Sequence, residues 1–167
     1  MTMNEVNALS ETEFLAMFGS VYEHSAWVAE AVVAKRPFPD KAALLDAMDH
    51  VVRSASAEEK LKLLRAHPEL AGKAAIDGTL TTASQAEQAS AGLDRMLREE
   101  FQELTTLNTQ YTDKFGFPFI ICVRMTTKTG ILQALRLRLQ NSPEQEFSTA
   151  LDEVKQIAAL RVEGILS

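Results

Sequence analysis

Five side chains in this 167-residue sequence pair a reactive group with a position that could use it: His67, Ser84, Glu87, Gln88 and Arg161. His67 opens the run His67-Pro-Glu-Leu-Ala-Gly-Lys73 at the end of a predicted helix. Pro68 pushes the preceding residue out of the helical region, so the imidazole is aimed outward from a rigid element, as a general base requires. The plainer reading is a histidine that only complements the negative end of a helix dipole. Ser84, Glu87 and Gln88 stand at i, i+3 and i+4, so they project from one face of a helix's first turn. A hydroxyl, a carboxylate and an amide at a helix N-terminus can bind a polar or anionic small molecule. Ser84-Gln-Ala-Glu87 also fits a capping box, which needs no ligand, and the two readings are compatible.

Arg161 is the sharpest local anomaly. The apolar stripe of the last predicted helix runs Phe147, Leu151, Val154, Ile157/Ala158, and its next step falls on Arg161, with Ile165 beyond. A guanidinium on a buried stripe needs a carboxylate or an anionic ligand to offset its desolvation. Alternatively, its stem packs while its head reaches solvent near the helix end. Arg124 is either a second anion contact or a surface residue. Phe117-Pro-Phe-Ile-Ile121 matters differently: an extended backbone among helices must have its N–H and C=O groups satisfied by other protein, water or ligand. A ureido or imide ligand, with alternating donors and acceptors, would suit it.

Other chemistries are excluded. The chain has no Gly-rich phosphate loop, no Gly-x-Ser-x-Gly elbow and no Cys-x-x-Cys. His24, His50 and His67 lack the i, i+4 pairing of a helical zinc site, so no metal site is expected. Cys122, inside Ile120-Ile-Cys-Val123, reads as a small buried hydrophobe rather than a nucleophile.

Helices must position these groups. Ser10-Glu-Thr-Glu13 and Ser56-Ala-Glu-Glu59 are capping boxes, and Ser142-Pro-Glu-Gln145 adds proline at its favoured first position. The spacing of apolar residues predicts helices from Ser10, from Ser20 to about Lys35, from Asp40 and from Ser56 to Arg65. His67 to Leu80, with Pro68, Gly72 and Gly78, reads as a loop. A long helix is predicted from Thr82 or Ala83 through Leu104, then a shorter one ending near Lys114. Two more follow, over about Lys128–Leu139 and from Ser142 to the C-terminus. Phe115 to Val123 alone reads as extended. One such segment is too little for a sheet, so the expected fold is all-α, a bundle of about seven to nine helices over residues 1–167 as a single domain.

Composition sets the outer bounds. Hydrophobic residues are 46% and charged residues 24%, close to the globular average, which rules out a disordered or fibrous chain. The net charge is −6 from 17 Lys+Arg against 23 Asp+Glu, which argues against nucleic acid or anionic membrane as partners. No stretch reaches the ~18 apolar residues of a membrane span. The single cysteine suits a reducing compartment, and the N-terminus lacks the pattern of a signal peptide. A cytoplasmic location is expected.

Taken in order, several segments resemble the 2-oxo-4-hydroxy-4-carboxy-5-ureidoimidazoline (OHCU) decarboxylases of uric-acid degradation. They are His67-Pro-Glu-Leu-Ala-Gly72, Ser84-Gln-Ala-Glu-Gln-Ala-Ser-Ala-Gly-Leu93, Tyr111-Thr-Asp-Lys-Phe-Gly-Phe-Pro-Phe-Ile120, Arg138-Leu-Gln-Asn141 and Glu153-Val-Lys-Gln-Ile-Ala-Ala-Leu-Arg161. The resemblance covers Phe14 to Leu166. It implies an all-helical, cofactor-free enzyme, usually a homodimer, that yields (S)-allantoin and CO2 from a small ureidoimidazoline. By resemblance His67 and Glu87 are the catalytic pair. Pro68, Ser84, Gln88, Arg161 and the backbone of Phe119, Ile120, Ile121, Cys122 and Val123 contact substrate. The competing reading is a non-catalytic helical ligand-binding or scaffold domain, in which His67 is dispensable.

Overall fold

Helices begin where the sequence supplies a cap. Ser10 accepts from the Glu13 N–H while Glu13 accepts from the Ser10 N–H, and Ser142 and Gln145 repeat this reciprocal pairing. Asp40 and Ser56 each accept from the N–H three residues on. Each such cap contributes about 1 kcal/mol to its helix. The computed structural model describes residues 1–167, which form ten α-helices, two 3-10 turns and no strand. The count exceeds the expected seven to nine because three helices run only five or six residues.

Two compact units divide the chain: residues Met1–Ala66 with Lys155–Ser167, and residues His67–Val154. In the first lie α1 (Met3–Ala8), α2 (Glu11–Phe18), α3 (Trp27–Val32), α4 (Lys41–Ser54) and α5 (Ala57–Arg65). The last helix, α10 (Pro143–Leu166), contributes its final residues. Phe14, Phe18, Val28, Val32, Leu44, Met48, Leu63 and Leu64 are buried here. α3 packs on α4 and α2. A helix starting at Ser20 is not formed: Ser20 to Ala26 is a series of turns, with His24 left-handed at φ +48. The reason is tertiary. The carbonyls of Ser20 and Val21, which a helix would use internally, accept from Arg161 instead.

The second unit holds α6 (Lys73–Asp77), α7 (Thr82–Ser90), α8 (Arg98–Phe115), α9 (Lys128–Arg138) and α10 as far as Val154. The stretch expected as a loop therefore contains the short α6. The long helix expected through Leu104 is broken earlier, at residues 91–97, where Gly92 takes φ +77. α8 restarts at Arg98, with the Leu97 N–H donating to Glu100 Oε1 at 2.9 Å. It ends at Gly116, φ +79, a left-handed stop. α9 packs on α8, joined by ion pairs Lys128–Glu100 (3.2 Å) and Arg136–Glu103. From Gly116 to Cys122 the chain is neither helix nor strand, and a 3-10 turn, Val123–Met125, follows.

Candidate active site

Three pieces of the second unit carry the predicted site: the His67–Gly72 loop, the first turns of α7, and the Phe117–Val123 segment. His67 leaves the helical path ahead of Pro68 and is buried, at 7% exposure. The loop after it is tied down by side chains. Gln88 Oε1 accepts from the Ala71 N–H at 3.0 Å, and Gln88 Nε2 donates to the Glu69 carbonyl at 3.4 Å. Asn108 Nδ2 donates to the Leu70 carbonyl at 3.1 Å. Ala71 is left-handed, φ +50, a conformation that alanine holds only when its surroundings fix it. Thus Gln88, read from sequence as a ligand contact, also anchors the loop that follows His67.

The capping-box reading of Ser84 and Glu87 is not what forms. Thr81 is the N-cap of α7, its hydroxyl accepting from the Ser84 N–H at 3.2 Å. Ser84 therefore lies inside the helix and is buried with Gln88, while Glu87 is half-buried. α7 packs on the Val123–Met125 turn. Burial pushes the Cys122 thiol up, and the carboxylates of Glu153 and Glu87 push it further. Cys122 is thus a protonated, buried thiol, as its apolar sequence context implied.

The extended segment has protein partners. Arg138 Nη1 donates to the Ile120 carbonyl at 2.6 Å, and Glu153 Oε2 accepts from the Cys122 N–H at 3.2 Å. The Arg138 guanidinium lies over the Phe119 ring, 4.5 Å from its centroid, and pairs through Nε with Glu146 at 2.5 Å. Glu146 is fully buried and also accepts from the Tyr111 hydroxyl (2.7 Å) and Asn141 Nδ2 (3.0 Å). Sequence reading did not single out Arg138 or Glu146 for this role. The signal was present, because the buried stripe Ile131, Leu135 steps onto Arg138 as the last helix steps onto Arg161.

Arg161 belongs to the other unit. Its Nη2 pairs with Glu23 Oε2 at 2.8 Å, and its Nη1 donates to the carbonyls of Ser20 (3.4 Å) and Val21 (3.3 Å). The two side chains are 8% and 2% exposed, and a buried carboxylate offsets the guanidinium. Arg124 is exposed. No three His, Cys, Asp or Glu side chains gather as a metal site, and no helix is long and apolar enough to cross a membrane. A cavity of about 400 Å3 beside α7 is lined by Ala71, Ile76, Gln88, Leu93 and Phe101. It shares Ala71 and Gln88 with the site but not His67, Ser84 or Glu87.

Residues 7–163, a span running through both units, match the family described as OHCU decarboxylase. The chain belongs to that family. A 2-oxo-4-hydroxy-4-carboxy-5-ureidoimidazoline decarboxylase of Haloferax volcanii is 43% identical over 162 residues, which are 97% of this chain and 94% of that protein. Among solved structures, an (S)-allantoin synthase matches with TM-score 0.80 at 34% identity, over 99% of this chain and 54% of that one. An OHCU decarboxylase crystallised in the presence of (S)-allantoin matches with TM-score 0.70 at 25% identity, covering 95% and 100%. The chain thus shares its length and helical architecture with an OHCU decarboxylase, and the resemblance first seen in five short segments extends over nearly all of it.

Proposed function

We propose that this protein converts OHCU to (S)-allantoin and CO2, with His67 and Glu87 as its catalytic pair. The observation that carries this reading is a family match of nearly full length that includes the His67 loop and the α7 face. The buried setting of His67, Ser84 and Gln88 supports it, because proton transfer and ligand hydrogen bonding both gain where water is excluded. The same reading makes the protein a carboxy-lyase that works without a cofactor, as a cytoplasmic homodimer; family resemblance supports these points.

The chemistry needs few parts. When the C4–CO2 bond breaks, its electron pair forms C4=C5, and the C5=N pair moves onto the ring nitrogen, which takes a proton. The substrate is its own electron sink. His67, oriented by Glu87, hydrogen-bonds the C4 hydroxyl and accepts its proton as C4=O forms. C5 is protonated from one face, which sets the S configuration. One proton is consumed overall, balancing the carboxylate that leaves as CO2. Pro68 packs beside the substrate. Ser84, Gln88 and the backbone from Phe119 to Val123 hold it so that the breaking bond stands perpendicular to the ring.

His67→Asn tests the pair. CO2 release from freshly generated OHCU should fall to the spontaneous rate while far-ultraviolet circular dichroism shows an intact helical fold. Near-full release by that variant would remove His67 from the mechanism.

A further inference from the structure

Glu153 is a half-buried carboxylate of α10 that the proposed mechanism does not use. Its Oε2 accepts from the Cys122 N–H at 3.2 Å. Two residues before Cys122, the Ile120 carbonyl accepts from Arg138 Nη1 at 2.6 Å. These two anchors hold the two peptide groups that flank Ile121. Both peptides are trans, and in a planar trans peptide the C=O and the N–H point in opposite directions. Because Arg138 draws the Ile120 carbonyl, the Ile121 N–H is turned away from Arg138. Because Glu153 draws the Cys122 N–H, the Ile121 carbonyl is turned away from Glu153. The Cys122 carbonyl is taken as well, by the Met125 N–H at 3.1 Å. Ile121 thus keeps a donor and an acceptor that neither anchor consumes, and it is half-buried where Ile120 and Cys122 are buried.

We propose that Glu153 is a positioning residue for substrate recognition: it aims the Ile121 carbonyl, as Arg138 aims the Ile121 N–H, so that this one residue reads a ring N–H and its neighbouring carbonyl. The proposal rests on the reading above in which the backbone from Phe119 to Val123 contacts substrate. A main-chain pair held at both ends is a demanding reader, because it cannot turn to find another partner. A ligand without the N–H leaves the Ile121 carbonyl unpaired in a site closed to water, which costs more than the contact alone. The role calls for an acceptor oxygen at the Cys122 N–H, which a glutamine amide also supplies. The carboxylate's charge strengthens that bond without defining its direction.

The test compares hydantoin with 1,3-dimethylhydantoin, which lacks both ring N–H groups, as competitive inhibitors of OHCU turnover by wild type, Glu153→Gln and Glu153→Leu. Wild type should favour hydantoin. Glu153→Gln keeps an oxygen for the Cys122 N–H and should hold the ratio of inhibition constants within about threefold. Glu153→Leu removes that oxygen and should reduce the ratio by about tenfold, with KM for OHCU raised and kcat changed less. Weakening of both inhibitors in equal proportion by Glu153→Leu would overturn the proposal, since a merely loosened site has no preference for the N–H. Equal loss in both variants would overturn it too, by assigning the effect to charge. Wild type that neither turned over OHCU nor bound hydantoin would instead defeat the underlying reading, and the proposal with it. Should Glu153→Leu not fold, nitrogen-15 NMR of wild type decides: hydantoin should shift the Ile121 amide and leave the Cys122 amide nearly unmoved, and an unmoved Ile121 amide would refute the idea.

Discussion

Arg138 donates to the carbonyl of Ile120 at 2.6 Å from a position where both residues are buried. An extended strand of chain among helices has no ladder to satisfy it, and this bond supplies part of what a neighbouring strand would. The same guanidinium pairs with Glu146, which Tyr111 and Asn141 also bind, so one network sets the path of the segment from Phe119 to Val123.

Arg138→Ala should therefore be costly, because it leaves the fully buried Glu146 carboxylate without its cation. Loss of one partner from a buried pair is expected to destabilise by about 3–5 kcal/mol. Arg138→Lys should recover little of this, since Nε and Nη1 serve two different acceptors in a planar fork that an ammonium cannot reproduce. Urea unfolding of both variants checks this; a loss below about 1 kcal/mol for Arg138→Ala would contradict the role.

Gln88→Leu removes both amide bonds to the loop after His67 at similar volume. The Ala71 N–H then lacks its acceptor, for an expected loss of about 1–3 kcal/mol. Hydrogen exchange at that amide should accelerate while exchange in the core of α8 stays slow. Unchanged protection at Ala71 would show that the loop is held by something else.

Cys122 should resist alkylation near neutral pH, since its thiol titrates above the ordinary range through burial and the Glu153 and Glu87 carboxylates. Glu87→Gln removes one negative neighbour, so the thiol pKa falls and the pH profile of iodoacetamide reaction moves to lower pH. A profile that ignores Glu87→Gln would place the two groups further apart.

Glu100 is held below the usual carboxylate range, first by the Leu97 N–H and then by Lys128. Its folded pKa lies under its unfolded one, so its contribution is present above the unfolded pKa and is lost as pH falls through the folded value. Glu100→Gln should thus flatten the acid limb of thermal stability below about pH 4.3 and leave its slope near pH 8 unchanged. An identical acid limb would argue that the restart of α8 does not depend on this carboxylate.

The parts of the fold legible in sequence are those decided locally. Ser10, Asp40, Ser56 and Ser142 mark helix starts because each bonds an N–H three residues away. The turns at Ser20–Ala26 were hidden because Arg161, from the far end of the chain, takes their carbonyls. The apolar spacing from Leu93 to Leu104 continued the expected helix across Gly92, whose positive φ follows the end of α7. In the site, Arg161 stood out by falling on an apolar stripe. Its partner Glu23 had no spacing signal, since no local period links the two positions. Thr81 displaced Ser84 as the cap because its hydroxyl accepts from the Ser84 N–H, so the helix starts three residues earlier and Ser84 lies inside it.

Handedness gives the most direct test of catalysis. OHCU generated in situ from urate decays without help to racemic allantoin, so an enzyme must reveal itself as an optical signal. Circular dichroism followed after adding this protein should rise rapidly and persist as (S)-allantoin, and His67→Asn should abolish that rise. A flat trace from folded wild-type protein, matching the unassisted decay, would contradict the decarboxylase reading.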